Sequence, residues 1–235
     1  MKTERKIPFG LTGNQLKIIA LLSMTCDHVG YQLLNNNKLA YILGRLAFPI
    51  FAYMIAEGAR YTRNRKKYFF LTFGVGLFCQ IVYFVTSGSL YQCILITFSC
   101  SLLLIYTLDH AIKRANADAW GLFAFLFLAV FFLVHLLPPL LPHTDYRLDY
   151  GIWGVLCPVL VFLGRNKWQK LLFASVALVF LALTYGEIQW FAFAAIPLLA
   201  LYNGRRGTWN LKYLFYIYYP LHIGVIALLA LLRGG

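Results

Sequence analysis

Within the apolar stretch Leu16 to Leu34, LKIIALLSMTCDHVGYQLL, stand Lys17, Asp27 and His28. A charge at membrane depth costs about 2.5–3.5 kcal/mol, so ionisable groups in such a stretch point to a bundle interior or a watered cavity, and to function. Lys17 and His28 are eleven positions apart. On a helix that is three turns plus about 20°, with a rise of about 16 Å. Both therefore lie on one face, an ammonium near one end and an imidazole near the middle. An imidazole titrates near neutrality and suits general-base work. Asp27, the next residue along, points about 100° away from His28 and is expected to meet a cation or orient another histidine.

Two later stretches carry further polar groups at similar depth. KLAYILGRLAFPIFAYMIAEGARYTRNRKKY places Arg45 a few residues inside an apolar run, where Asp27 is its expected partner and stabilisation of a developing oxyanion a possible task. NLKYLFYIYYPLHIGVIALLALL places His222 about ten residues into the last run, two positions after Pro220, whose missing N–H frees a carbonyl. Downstream of Arg45, the cations Arg60, Arg63, Arg65, Lys66 and Lys67 form a dense group suited to an anionic ligand or to anionic lipid. The histidines fall on separate runs, HExxH is absent, and no metal site is expected.

The elements that position these residues follow from composition. The chain has 235 residues, 61% hydrophobic and only 12% charged, with mean hydropathy +0.69. A soluble domain needs about twice that charge. The expected fold is all-α, a polytopic transmembrane helical bundle of about nine spans, with eight or ten as alternatives, forming one integral-membrane domain over residues 1–235. Apolar runs near 16–34, 39–59, 68–86, 90–108, 119–141, 150–164, 169–184, 186–202 and 212–232 supply the spans. The N-terminal MKTERKIPFG shows no small-residue cleavage site, so the first span is expected to act as its own signal.

Net charge +13 does not imply nucleic acid, because the cations fall in alternate connections. Sixteen Lys and Arg lie on the side holding the N-terminus: residues 2, 5, 6, 60, 63, 65, 66, 67, 113, 114, 165, 167, 170, 205, 206 and 212. Three, Lys38, Arg147 and Arg233, lie on the other. The positive-inside rule then predicts a cytoplasmic N-terminus and an external C-terminus. Five cysteines within apolar runs read as small buried hydrophobes. Asp145, Arg147 and Asp149 are expected in an external loop, solvated or rimming a cavity.

Four segments together resemble the TraX family: LTGNQLKIIALLSMTCDHVG, GRLAFPIFAYMIAEGARYTRNRKKY, DYGIWGVL and KYLFYIYYPLHIGVI. The likeness runs in order across most of the chain. Its founding member is associated with N-terminal acetylation of conjugative pilin. A looser likeness links Lys17 and His28, with ten residues between them, to the basic-x10-His motif of acyltransferase-3 membrane proteins. Arg60-Tyr61-Thr62-Arg63 resembles their RxxR motif, here placed after the second span.

These resemblances imply an acetyltransferase of the bacterial cytoplasmic membrane. Acetyl-CoA would be the donor, its phosphates held by Lys17, Arg60, Arg63, Lys66 and Lys67. His28 would be general base, supported by Asp27, Arg45 and His222. The acceptor would be an amine or hydroxyl of an envelope or exported molecule, such as a protein N-terminus, a glycan or a metabolite. Two other classes fit intramembrane His, Asp and Arg with proline-broken helices: a proton-coupled transporter or flippase, and a non-catalytic membrane assembly factor.

Overall fold

The computed structural model describes residues 9–34, 37–209 and 211–234. It is all-helical apart from two isolated parallel bridges, Leu11↔Tyr202 and Gln92↔Leu148. Helix stands on each of the nine apolar runs: α1 Gly13–Gln32, α2 Lys38–Tyr61, α3 Arg65–Ser87, α4 Ile94–Arg114, α5 Ala117–Leu140, α6 Gly151–Leu163, α7 Lys167–Tyr185, α8 Glu187–Ala200 and α9 Lys212–Gly234. Among the described residues, five of them, α2 to α5 and α7, are long and apolar enough to cross a membrane. This is a membrane protein. The apolar stretches of α6, α8 and α9 are shorter. At 20 residues α1 has the length to cross about 30 Å of hydrocarbon. Lys17, Asp27 and His28 dilute its apolarity.

Helix ends follow local chemistry. Thr12 opens α1 with a capping box: its hydroxyl accepts from the Gln15 N–H, and the Gln15 side chain accepts from the Thr12 N–H. Asparagines cap α3, α5 and α7, where the side chains of Asn64, Asn116 and Asn166 accept from the third residue on. Gly88 ends α3 at φ +66°, a left-handed conformation that favours glycine. In α5 a π turn over Phe132–Leu136 precedes Pro138 and Pro139, whose missing N–H groups free carbonyls of the turn before them.

The helices group into two compact units. One holds the described residues up to Phe51 with those from Phe191 onward, and the other is Ala52–Trp190. In the first, α1 packs on the start of α2 and on α9. Contacts of α1 with α9 advance in step along both chains, Lys17 to Phe215, Thr25 to Tyr218 and His28 to His222, so the two helices run in the same direction. The segment 201–209 is pinned to the start of α1. Leu11, Gly13 and Asn14 donate their N–H groups to the carbonyls of Leu201, Arg205 and Arg206.

In the second unit, α4 packs against α3, α5 and α6, and α6 against α7. Its core includes Phe98, Leu102, Leu104, Ile105, Val155, Val161, Leu178 and Leu181. By contrast α5 exposes Leu122, Phe125, Leu128 and Phe132, as a lipid-facing wall requires. Cys79, Cys93, Cys100 and Cys157 are buried thiols, and Cys26 is partly buried.

Candidate functional site

The first unit gathers five of the sequence-derived site residues, Lys17, Asp27, His28, Arg45 and His222. Two glycines let α1 and α2 approach. A Cβ on Gly30 would meet the Cβ of Ala40 at 2.6 Å, and one on Gly44 would meet the Cβ and Oδ1 of Asp27 at 2.5 Å. Beside this contact the Ser23 hydroxyl donates to the Leu43 carbonyl. Regular helix in α2 lapses at Arg45 and Leu46, between Lys38–Gly44 and Ala47–Tyr61, with Pro49 tolerated in the restarting first turn. From that lapse Arg45 reaches Asp27, Nη2 to Oδ1 at 2.5 Å. Its Nε donates to the Tyr41 carbonyl at 3.3 Å, and the guanidinium lies 5.1 Å from the centre of the Tyr41 ring. Arg45 is buried, and the pairing expected from depth is present. Asp27 is thereby committed to Arg45.

On the other side of α1 stands α9. The rings of His28 and His222 face each other with centroids 5.0 Å apart. His222 is 6% exposed, its Nδ1 lies 2.9 Å from the Tyr218 carbonyl, and its Nε2 is buried with no hydrogen-bond partner among the described residues. Tyr218 stacks on it at 5.3 Å and Tyr219 meets it edge-on at 5.6 Å. The Thr25 hydroxyl donates to the Leu21 carbonyl at 2.9 Å, so across the 2.7 Å contact with Tyr218 the phenol is the donor. That bond ties α9 to α1 one turn from His28. Lys17, as expected, shares the face of His28, its Nζ 5.2 Å from the centre of the Phe215 ring.

The remaining site residues lie in the second unit. Arg60 does not present its charge as a free anion ligand: Nη2 donates to the Phe162 carbonyl and, at 3.0 Å, to that of Gly164, while the guanidinium covers the Phe162 ring at 4.8 Å. Its work there is to satisfy the last carbonyls of α6. Arg63, Lys66 and Lys67 are exposed. Arg65 pairs with Asp109 at 2.7 Å.

Some structure escaped sequence reasoning. Lys170, counted above with the loop cations, is buried in α7 and donates to Glu57 Oε1 at 2.5 Å. Thr25 and Tyr218 were also not singled out, although Thr25 with His28 and Tyr218 with His222 have the i,i+3 and i,i+4 spacing that puts side chains on one face. The loop holding Asp145 and Asp149 is latched onto the turn between α3 and α4. The Tyr91 hydroxyl donates to Asp149 at 2.7 Å, and burial, reinforced by that carboxylate, pushes its phenol pKa up. Asp145 accepts from the Ser89 hydroxyl and the Leu90 N–H, which hold its carboxyl below the usual range.

An all-α membrane protein with a partly buried Asp–Arg pair beside two facing histidines is the class these features define. The model of the TraX protein family matches residues 12–230, and the chain belongs to that family. It is also similar to the probable fimbrial assembly protein FimC, serogroup H1, of Dichelobacter nodosus, with 24% identity over 237 residues covering 90% of this chain and 93% of the relative. No solved structure matches the chain significantly.

Proposed function

We propose that this protein is a membrane-embedded acetyltransferase that moves an acetyl group from cytoplasmic acetyl-CoA to an amine or hydroxyl of an envelope or exported acceptor. The observation that carries the reading is His28. It is partly exposed on a largely apolar helix, faces a second histidine 5.0 Å away, and stands next to a partly buried Asp27–Arg45 pair. Such groups are held inside apolar surroundings where chemistry needs them.

The chain crosses the bacterial cytoplasmic membrane nine times, its N-terminus cytoplasmic and its C-terminus external, an arrangement supported by the distribution of Lys and Arg and by helix on every apolar run. The phosphates of the donor stay with the cytoplasmic cations. Lys17 supplies one of these, and the exposed Arg63, Lys66 and Lys67 raise the local concentration of an anionic donor. His28 takes the proton from the acceptor as its nitrogen or oxygen attacks the thioester carbonyl. Arg45, its charge balanced by Asp27, lies at the depth where negative charge develops on the carbonyl oxygen. The proton leaves on the CoA sulfur.

The relative's name supports a fimbrial or pilin setting, with a pilin N-terminus as one acceptor. It equally favours a second reading, a non-catalytic fimbrial assembly factor.

Purified protein in lipid, given radiolabelled acetyl-CoA and cell-envelope fractions, separates the two. The acetyltransferase predicts label transfer by wild type and its loss in a folded His28→Ala variant. The assembly factor predicts no transfer and normal fimbriation with His28→Ala.

A further inference from the structure

His222 holds its ring in one defined tautomer. A backbone carbonyl has no proton to give, so the contact between Nδ1 and the Tyr218 oxygen places the proton of the neutral ring on Nδ1. Nε2 is then a bare lone pair. It lies in a residue 6% exposed, with no partner among the described residues. A buried acceptor without a protein partner is unusual in a folded protein and calls for a reason.

The surroundings narrow the donor it awaits. Tyr218, stacked on the ring, spends its hydroxyl on Thr25. Asp27 and Arg45 are joined to each other, and an acidic group would bring no N–H. His28 is the nitrogen-bearing ring opposite. Two imidazole nitrogens aimed at each other across a centroid separation of 5.0 Å come within hydrogen-bonding distance.

We infer that His222 is a positioning residue whose Nε2 accepts the N–H of His28, so that the two histidines act as one proton-handling pair. The bond sets the tautomer of His28 and leaves its second nitrogen as the lone pair turned away from α9. The assignment of the substrates rests on the acetyltransferase reading; the ring pairing does not. In the transfer step the acceptor's N–H or O–H proton passes to that second nitrogen while the new bond to the acyl carbon forms. The carbon–sulfur bond then breaks, and the proton is returned to the thiolate. Throughout, the positive charge on His28 is shared through its other N–H with His222 Nε2. Charged and titratable groups around the pair are Asp27 on α1, Arg45 and Tyr41 on α2, and Tyr218 and Tyr219 on α9.

Two substitutions dissect the pair. Glutamine puts an amide oxygen near the position of Nε2 and keeps an acceptor there. Asparagine keeps a donor near Nδ1 and removes that acceptor. Protein in nanodiscs, with 15N-labelled histidine, should show His222 protonated at Nδ1 and His28 in a single tautomer. His222→Gln should preserve the His28 signals, and His222→Asn should return His28 to a mixture of tautomers. In label transfer, His222→Gln should stay within severalfold of wild type. His222→Asn should lose about ten- to hundredfold in kcat, with the KM for acetyl-CoA unchanged and the acidic limb of the pH–rate profile displaced. The inference is overturned if His222 carries its proton on Nε2, or if the His28 signals are the same in wild type and folded His222→Asn. Should the spectra behave as expected while wild type transfers no label, the pairing stands and the acetyltransferase reading falls.

Discussion

Arg45 and Asp27 support each other, and the measure of that is what happens when one is removed. Arg45→Ala leaves a carboxylate in apolar surroundings with its charge uncompensated, and breaking a buried pair in this way costs about 3–5 kcal/mol. The Asp27 side chain keeps 24% of its exposure, so the lower end applies. Unfolding of the purified protein in detergent should show Arg45→Ala strongly destabilised and the double variant Asp27→Asn, Arg45→Gln substantially recovered. Additive losses would mean the two charges act independently. The sequence offered this pair as one of two alternatives for Asp27, because two opposite charges stood at similar depth in neighbouring apolar runs. Glu57 and Lys170 were not legible as a pair, being 113 positions apart, with Lys170 sitting where loop cations are common. Arg60 misled for a related reason: composition marks it as a cation, and only the position of the last turn of α6 turns it into a donor for backbone carbonyls.

At the scale of helices, the approach of α1 to α2 depends on the absence of a side chain. Gly44→Ala would place a methyl 2.5 Å from the Asp27 carboxylate carbon chain and oxygen. The helices must separate, and overpacking of this kind costs about 1–3 kcal/mol. The expected result is a lowered unfolding midpoint in detergent, and an unchanged midpoint would show that the two helices do not depend on this approach. A second helix-scale prediction concerns the latch between the Asp145 loop and the turn joining α3 and α4. Ser89 and Leu90 hold the Asp145 carboxyl below its ordinary range, so the latch is in place above the ordinary carboxylate pKa of about 4 and is lost as pH falls through the depressed value. The protection factor of the Leu90 amide should be high at pH 7 and fall once Asp145 protonates, and should be low at both in Asp145→Asn. A pH-independent protection factor would count against it. The boundaries of most helices were readable from asparagine caps and apolar runs. The lapse at Arg45 and the π turn at Phe132–Leu136 were not, because Pro49, Pro138 and Pro139 announce a disturbance without saying which carbonyl it frees.

For the whole molecule the testable statement is topology. With the native cysteines replaced, single cysteines at Arg63, Arg114 and Arg165 should react with an impermeant maleimide only from the cytoplasmic side, and those at Ser89 and Asp145 only from outside. Labelling of both groups from one side would remove the nine-crossing arrangement. The sequence by itself determined the solvent and the class of fold. With so few charges and so much apolar surface, only helices satisfy their own backbone groups in hydrocarbon. It also determined that Lys17 and His28 share a face, since helical periodicity is local. Only the tertiary structure decided that this face meets α9, that Asp27 belongs to Arg45 rather than to a histidine, and that His222 turns a bare nitrogen inward. Those outcomes depend on which helices pack together and at what register, a choice made by glycine contacts, proline breaks and long-range pairing that no local pattern encodes.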